Sequence, residues 1–370
     1  MIKQNIPTGN RICLMNSNEV WGGGEKWHLD MASYLHDLGY FVMVVTNRNS
    51  ELYLKLKGKQ GILLKTVRVS NFSFINPYKL IFIRNLCRKH HITAAILGLS
   101  NDVKLGGLAA KLAGVQSIIY RRGTALPVRN TLLNKYLFRR VLTKIISNSE
   151  DVMNNIFKNN SNLIDRSKVS VIYNGVDLQK WAPETHLKRD IEKSEAIILG
   201  NAGRLVEQKG QFYLIEIARK LKEQNIPFKM YIAGSGPLGK KLKHSRMQHE
   251  LDKEIVFLDF VDDVFKFLRS IDIYLSTSIH EGSSHVVLEA MASCKPVIAF
   301  NISSMPEIVT QAHTGYLVPF GDTDHFADQI KHLNNHRELL QQMGRNAQKK
   351  VADKFEFNKN MKKVVELIEA

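Results

Sequence analysis

The stretch DIYLSTSIHEGSSHVVLEAMASCKPVIAFN, residues 272–301, joins two short apolar runs through a turn and an amphipathic segment. The run DIYLSTS (272–278) predicts one strand, and PVIAFN (296–301) predicts another. Between them, the turn at 281–284 leads into a segment with the apolar periodicity of a helix. Strand, helix and strand in this order predict a parallel βαβ unit, because parallel neighbours need a crossover connection.

The same alternation of short apolar runs and longer amphipathic stretches occupies most of the chain. Predicted strands lie at 12–17, 41–46, 94–100, 117–122, 144–149 and 169–175, and then at 196–203, 229–236, 254–260, 272–278 and 296–301. Continuous apolar strands joined by helices are typical of a parallel sheet covered on both faces. We therefore predict an α/β protein of two tandem Rossmann-like, doubly wound domains with a ligand in an interdomain cleft.

A polar stretch at 177–195 separates the two series of strands and predicts a linker. The predicted domains are residues 1–180 and residues 181–350. The segment 351–370 has helical spacing and is predicted to pack back toward the first domain.

Composition excludes several classes of protein. The start of the chain lacks the basic-then-apolar order of a signal peptide, and no apolar run reaches about 18 residues, so we expect a cytoplasmic protein. Three widely spaced cysteines, Cys13, Cys87 and Cys294, do not suit a disulfide framework or a zinc knuckle.

Lys and Arg exceed Asp and Glu by 26 to 11 in residues 1–185, but only by 26 to 24 in residues 186–370. This asymmetry indicates an anionic partner for the first half, a membrane surface or a nucleic acid, unless it serves solubility alone.

Two glycine-containing turns in the second half follow predicted strands. In NAGRLVEQKG (201–210), Arg204 and Lys209 lie in a loop before a helix, so two cations and free helix amides form a candidate polyphosphate site. In IAGSGP (232–237), Gly234 begins a G-x-G that fits a tight turn equally well. The full G-x-G-x-x-G of a dehydrogenase and the P-loop pattern are both absent.

Two carboxylates lie close to the turn EGSS (281–284): Glu281 begins the turn, and Glu289 follows it in the predicted helix. If the whole segment were helical, eight residues would advance about 12 Å and leave both carboxylates on broadly one side. One carboxylate would then meet a sugar and the other a ribose, unless both are ordinary surface charges. Between them, the amides of four residues would form a helix N-terminus suited to phosphate oxygens, namely Gly282, Ser283, Ser284 and His285.

Three consecutive glycines, Gly22, Gly23 and Gly24, follow the first predicted strand and begin a helix. Their lack of side chains permits close approach of the backbone to an anion at the helix start. A flexible turn between strand and helix is the alternative.

Taken together, these motifs resemble the retaining glycosyltransferases of GT-B fold and family 4, the group with glycogen synthases and bacterial envelope-assembly enzymes. The resemblance covers nearly the whole chain through GGGEKW, ISNSEDV, VIYNGVD, AGRLVEQKG, IAGSGP, EGSSHVVLEAMASCKPVIA, MPEIV and HTGYLVPFGD, in the family's order. It implies that Arg204 and Lys209 hold the donor diphosphate, that Glu281 contacts the donor sugar and that Glu289 binds the ribose. It also implies that Gly23 lies over the diphosphate and that the 282–285 turn contacts phosphate and sugar. By the same resemblance, residues 1–180 would bind the acceptor and residues 181–350 the nucleotide sugar.

Some positions depart from the family's pattern. Cys294 stands where a glycine is usual, so the preceding helix is expected to end without the easy left-handed residue. Ser304 and Met305 replace a glycine-containing turn. Where many relatives carry a histidine, this chain has Arg121 and Arg122. An arginine cannot act as a base at neutral pH. This position would therefore offer positive charge to the leaving phosphate or to the acceptor.

The expected function is transfer of a hexose from a UDP- or GDP-sugar to a glycan or lipid-linked acceptor in envelope polysaccharide or lipopolysaccharide synthesis. The resemblance implies retention of configuration. Because no D-x-D stands in a suitable context and Asp262 and Asp263 are the only adjacent pair in a promising loop, we expect no metal and no separate cofactor. The alternatives are a sugar-nucleotide epimerase of the same fold and a basic nucleic-acid-binding protein, although no nucleic-acid-binding motif is present.

A second expectation concerns the membrane. Residues 127–146 mix Arg129, Lys135, Arg139 and Arg140 with leucines and Phe138. This segment is predicted either to lie on anionic lipid, as a peripheral contact at the inner face of the cytoplasmic membrane, or to be a buried helix with one charged face.

Overall fold

A computed structural model describes residues 9–179 and 196–370, and each range contains a parallel sheet flanked by helices. The strands of the first sheet are β1 (Arg11–Asn16), β2 (Phe41–Thr46), β3 (Ile62–Thr66), β4 (Ala94–Leu97), β5 (Ser117–Arg122), β6 (Lys144–Ser147) and β7 (Val169–Val171). Their spatial order is β3-β2-β1-β4-β5-β6-β7, and every pairing is parallel. Five of the six residues in β1 are buried, as expected for a strand covered on both faces.

The described strands of the second sheet are β8 (Ile197–Ala202), β9 (Phe228–Ala233), β10 (Ile255–Phe257), β11 (Ile273–Ser276), β12 (Val297–Phe300) and β13 (Gly315–Val318). Their order is β10-β9-β8-β11-β12-β13, again with parallel pairings. The order reverses between β8 and β11, so the loops that follow these two strands leave the same edge side by side.

Helices alternate with the strands. They are α1 (Gly23–Asp37), α2 (Glu51–Leu56), α3 (Pro77–Lys89), α4 (Ser100–Asp102), α5 (Leu108–Ala113), α6 (Leu132–Tyr136), α7 (Glu150–Phe157), α8 (Gln211–Glu223), α9 (Gly239–Gln248), α10 (Val264–Ser270), α11 (His285–Ala292), α12 (Met305–Ile308), α13 (Thr323–Asn335), α14 (Arg337–Lys354) and α15 (Phe357–Glu369). Two π-helical segments, Val103–Gly107 and Leu137–Val141, continue α4 and α6. None of the described helices is long and apolar enough to cross a bilayer.

The prediction of an α/β protein with two parallel-sheet domains is confirmed, but two strands were missed. All five residues of β3 are only half-buried and include Lys65, because β3 is an edge strand, so its sequence lacks a continuous apolar run. The four-residue strand β13 lies inside the HTGYLVPFGD motif and was also missed, although it is as long as β11. The strand of Arg121 and Arg122 is therefore the fifth in the chain and not the fourth.

The chain divides into two compact units. Residues up to Asn174 together with Asn360–Ala370 form the first unit, and Gly175–Lys359 form the second. Most of the predicted linker, residues 180–195, lies outside the described residues. Helix α15 is held in the first unit by its buried apolar face, by Lys144 Nζ donating to the Leu367 carbonyl at 2.7 Å, and by Tyr40 donating to Glu369.

Helix α11 ends in a way that the sequence did not predict. Cys294 adopts φ +57°, the left-handed conformation that usually belongs to glycine. Lys295 N donates to the Ala290 carbonyl at 3.0 Å and Cys294 N to the Met291 carbonyl at 3.1 Å, so a Schellman cap forms without glycine.

We expect Cys294→Gly to stabilise the protein by about 0.5–1 kcal/mol, because glycine adopts this backbone conformation without the Cβ penalty. Thermal unfolding would measure the change. Cys294→Ala is the matched control, since it removes the thiol but keeps the Cβ. A glycine variant no more stable than the alanine variant would contradict the interpretation.

Candidate active site

Lys209 and Glu281 form an ion pair in the second unit. Lys209 ends a short 3₁₀ turn, Glu207–Lys209, in the loop that follows β8, and Glu281 lies in the loop that follows the neighbouring strand β11. Ser278 Oγ donates a second hydrogen bond to Glu281, at 2.9 Å. The side chain of Glu281 is only 10% exposed and that of Lys209 22%, so the charges are partly withdrawn from water.

Further hydrogen bonds tie these two loops together. Ile279 N donates to the Gln208 carbonyl at 2.8 Å, and Gln208 Nε2 donates to the His280 carbonyl at 2.9 Å. Gly210 lies at φ +63°, and a Cβ there would overlap the Thr277 carbonyl oxygen, so the loops approach closely because residue 210 is glycine. The ion pair is thus held on a fixed backbone.

The other two residues of the proposed donor site differ in environment. Arg204 is in the same loop as Lys209, with its side chain exposed to solvent. Glu289 is buried on helix α11. Burial, and then the charges of Glu281 and Glu289, raise the pKa of Tyr274, a buried residue within β11. Both carboxylates therefore act on the same phenol.

The helical-rise argument for the two glutamates was wrong in one respect. Helix α11 begins at His285, so Glu281 lies in the preceding loop, and the distance from Glu281 to Glu289 does not follow from helix geometry. The N-cap residue Ser284 makes no side-chain cap hydrogen bond, and the first helical bond runs from Leu288 N to the Ser284 carbonyl at 3.2 Å. The Gly282–His285 turn therefore does place a helix N-terminus between the carboxylates, as predicted.

Gly234 has a packing role that explains the G-x-G. It lies at φ +133°, and a Cβ there would overlap the Gly203 carbonyl oxygen. Gly236 packs in the same way against the backbone of Leu205, and Leu205 N donates to the Ser235 carbonyl at 3.0 Å. The two glycines bring the loop after β9 against the loop that carries Arg204.

In the first unit, Gly22 is the N-cap of α1, and Gly23 and Gly24 form its first turn. Buried polar side chains lie beneath this turn. Asn16 Nδ2 donates to Glu25 Oε1 at 3.1 Å, and His28 Nδ1 lies 2.8 Å from the Gly24 carbonyl. Burial lowers the pKa of His28 to about 3, so its ring is neutral and donates to that carbonyl.

Arg121 and Arg122 are both buried in the first unit. Arg121 donates to Asn174 Oδ1 at 2.7 Å and lies 5.0 Å from the Trp27 ring centroid. Burial lowers the pKa of Arg121 to about 10, which still leaves it charged at neutral pH. Arg122 donates to the Leu126 carbonyl. Both guanidinium groups thus already have partners within the unit, which the expectation of charge offered to a ligand did not foresee.

Asp102 is a buried carboxylic acid with an unusual environment. One of its oxygens accepts from Ser17 N at 3.3 Å and Leu99 N at 3.0 Å, so it joins the loops after β1 and β4. Burial raises the pKa of Asp102 to about 7, despite these hydrogen bonds. Sequence reasoning missed it, because one aspartate in an apolar stretch carries no signal of burial.

We expect Asp102→Asn to remove a pH dependence of stability. Between about pH 4 and 7, the folded state keeps the Asp102 proton and the unfolded state loses it, so this residue makes stability fall as pH rises. From about pH 5 to pH 8, the unfolding free energy of the variant should rise by on the order of 3 kcal/mol relative to that of the unmodified protein. Urea unfolding at both pH values measures it, with exposed Asp37→Asn as control. If the unfolding free energies of variant and parent differ by the same amount at both pH values, the raised pKa of Asp102 is contradicted.

Asp263, the second residue of the Asp262–Asp263 pair, has a structural role. Asp263 Oδ1 accepts from Lys266 N at 2.9 Å and caps α10. In residues 9–179 and 196–370, no group of three His, Cys, Asp or Glu side chains is arranged to hold a metal ion.

Two family models match the chain. Residues 21–180 match Glycosyltransferase Family 4, and residues 184–350 match Glycosyl transferases group 1. The UDP-Gal:alpha-D-GlcNAc-diphosphoundecaprenol alpha-1,3-galactosyltransferase of Escherichia coli is 28% identical over 319 residues, 80% of each chain. The putative glycosyltransferase EpsF of Bacillus subtilis is 30% identical over 60% of this chain and 62% of its own.

Solved structures share the fold. A glycosyltransferase from Rickettsia africae superposes with a TM-score of 0.86 at 21% identity, over 98% of both chains. Anabaena HepE in complex with UDP superposes with a TM-score of 0.84 at 19% identity, over 97% of this chain and 99% of HepE. At these identities the similarity establishes the architecture alone, and it extends over both units.

Proposed function

Because the chain belongs to the family 4 glycosyltransferases of GT-B fold, we propose that it transfers a hexose from a nucleotide-sugar donor to a glycan or lipid-linked acceptor. A related galactosyltransferase acts, by its name, from UDP-Gal on a diphosphoundecaprenol-linked sugar. We place the reaction in the cytoplasm, where the free thiols of Cys13 and Cys87 remain reduced. The product would enter envelope polysaccharide or lipopolysaccharide synthesis.

The observation that carries this proposal is the Lys209–Glu281 pair on two clamped loops beside a helix N-terminus. Negative charge grows on the diphosphate as the bond to the sugar breaks, and stabilising that charge is the main catalytic task. Arg204 and Lys209 would supply cations, and the amides of the Gly282–His285 turn would supply dipoles.

The remaining residues would position the donor. Glu281 would accept hydrogen bonds from sugar hydroxyls while Lys209 and Ser278 fix its orientation, and Glu289 would accept them from the ribose. Gly23, Gly24 and Gly234 would allow close approach of backbone to phosphate. We propose that these groups neutralise the departing diphosphate without a metal ion. From the family resemblance we propose transfer with retention, the leaving phosphate taking the acceptor's proton.

A donor screen tests the proposal. The protein is incubated with UDP-, GDP- and ADP-sugars, with and without a chelator, and both slow hydrolysis and thermal stabilisation are measured. We expect nucleotides with one particular base to stabilise the protein, and a sugar nucleotide with that base to be hydrolysed with retained configuration. The chelator should not change the rate of this hydrolysis. Interconversion of the sugar without release would identify an epimerase instead, and no response to any donor would refute the proposal.

A further inference from the structure

Two exposed histidines lie one helical turn apart at the end of α13. His332 belongs to the last turn of this helix, and His336 is the residue between α13 and α14. Their ring centroids are 4.4 Å apart, and the ring planes are inclined by 38°. Because residues four positions apart share one face of a helix, both imidazole groups are open to water on the same surface. We call them the His332–His336 pair.

The hydrogen bond of His336 determines which of its nitrogens is available. His336 Nδ1 lies 2.8 Å from the His332 carbonyl oxygen. A carbonyl oxygen only accepts, so Nδ1 carries the proton and donates it to this bond. In the neutral ring, Nε2 then keeps its lone pair and points away from the backbone. A hydrogen bond from the second ring nitrogen to a carbonyl is the usual way in which a metal-binding histidine is oriented.

The backbone that carries the pair is well anchored. Leu340 N donates to the His336 carbonyl at 3.1 Å, so His336 begins the hydrogen bonding of α14. The next residue, Arg337, donates from Nη2 to Asn334 Oδ1 at 2.6 Å, and its Nη1 lies 3.8 Å from Asp272 Oδ2. The Asp272 side chain is only 2% exposed, which ties the junction of the two helices to the interior of the unit. Binding to the pair therefore requires little ordering of the chain.

The distance between the two rings favours some metal ions over others. A coordinating imidazole nitrogen lies about 2.0 Å from the ion, and the ring centroid lies about 1.1 Å farther along the same line. Two such rings at about 90° around one ion have centroids about 4.5 Å apart, and at the tetrahedral angle about 5.2 Å apart. The observed 4.4 Å matches the smaller angle. That angle belongs to the square-planar and octahedral sites of Cu(II) and Ni(II), whereas Zn(II) prefers a tetrahedron.

The carboxylate on the same side of α13 is too far away to complete a closed site. Asp328 precedes His336 by eight residues, over which a helix rises about 12 Å. Asp328 Oδ1 instead accepts from Gln224 Nε2 at 3.3 Å. This agrees with the lack of any group of three ligating side chains in the described parts of the chain. Water would therefore fill the other positions around an ion bound to the two histidines.

We propose that the His332–His336 pair binds one Cu(II) or Ni(II) ion through one nitrogen of each ring, with water as the remaining ligands. The ion would join the last turn of α13 to the start of α14 and so stabilise the second unit. Exposed Lys331 and partly buried Arg337 are the charged neighbours along the chain, so attraction of cations in general does not explain binding here. Mg²⁺, which requires oxygen ligands, should not bind.

Calorimetric titration of the full chain with each metal salt alone tests the proposal. No sugar donor is present, so the result is independent of sugar transfer. We expect binding of one equivalent at the pair, tightest for Cu(II) and weakest for Zn(II), and none of Mg²⁺. His336→Asn keeps a donor for the His332 carbonyl but has no ring nitrogen, and His332→Gln removes the other ligand. Each should lose about tenfold or more in Cu(II) affinity.

A matched control is needed because the chain has thirteen histidines. His244→Gln/His249→Gln removes two histidines at another surface of the same unit, on and just after α9, and should bind Cu(II) as the parent does. Electron paramagnetic resonance of the parent with one equivalent of Cu(II) should show coupling to two nitrogens, and that of His336→Asn to one. An equal loss of affinity in variants and control, or a parent spectrum without two coupled nitrogens, would overturn the proposal.

Discussion

Lys209→Ala is expected to lower turnover by about 10²- to 10³-fold while the protein remains folded. The Lys209 ammonium is held by Glu281 on loops joined by backbone hydrogen bonds, so its charge needs no reorganisation when a diphosphate departs. Turnover with the donor found by screening measures the effect, and circular dichroism checks the fold.

Lys220→Ala is the matched control for this prediction. It removes the same charge from α8, where Lys220 pairs with Asp324, which is 69% exposed. Exposed pairs contribute little to stability, so both turnover and melting temperature should stay close to those of the parent. Near-parental turnover in Lys209→Ala, or an equal loss in Lys220→Ala, would remove Lys209 from the site.

Glu281→Gln is expected to lower kcat/KM by about 100-fold, because the amide neither holds Lys209 by charge nor accepts from sugar hydroxyls as strongly. Because the two side chains act as one pair, the double variant Lys209→Ala/Glu281→Gln should lose less than the product of the single losses. Steady-state kinetics of the four proteins measures the coupling.

Glu216→Gln on α8 serves as control for Glu281→Gln, since the side chain of Glu216 is 43% exposed and pairs with Arg219 on the surface. It should leave kcat/KM unchanged. Losses that multiply without coupling would mean that Lys209 and Glu281 act separately, and the ion pair would then be incidental to the reaction.

Strands in the interior of the two sheets were easier to predict from the sequence than strands at the edges. Interior strands such as β1 and β11 were visible, because burial on both faces demands a continuous apolar run. Among the four edge strands, β7 and β10 were predicted, whereas β3, which is half-buried and includes Lys65, and β13 were missed. The turn at Gly282–His285 was placed correctly at a helix start, since glycine and serine residues before an apolar periodic run mark one.

The sequence indicated residues for the candidate site but not the contacts that these residues make. Arg204, Lys209, Glu281 and Glu289 were chosen from loops and from the family's motifs, whereas Ser278 and Tyr274 were missed. Tyr274 lies within β11 and Ser278 lies in the loop that follows this strand, and their polar groups attract notice only when the neighbouring loop is known. The Asn16–Glu25 contact beneath the glycine turn was missed for the same reason.

By itself, the sequence determined that this protein has two parallel α/β domains with glycine turns after their strands, because burial and backbone freedom leave local signals in residue type and spacing. Only the tertiary structure decided that Lys209 meets Glu281, 72 positions away, that Phe138 is buried and that Tyr78 is exposed. The reason is physical: which strands become neighbours, and which face of a helix is covered, follow from packing of distant segments and not from the local order of residues.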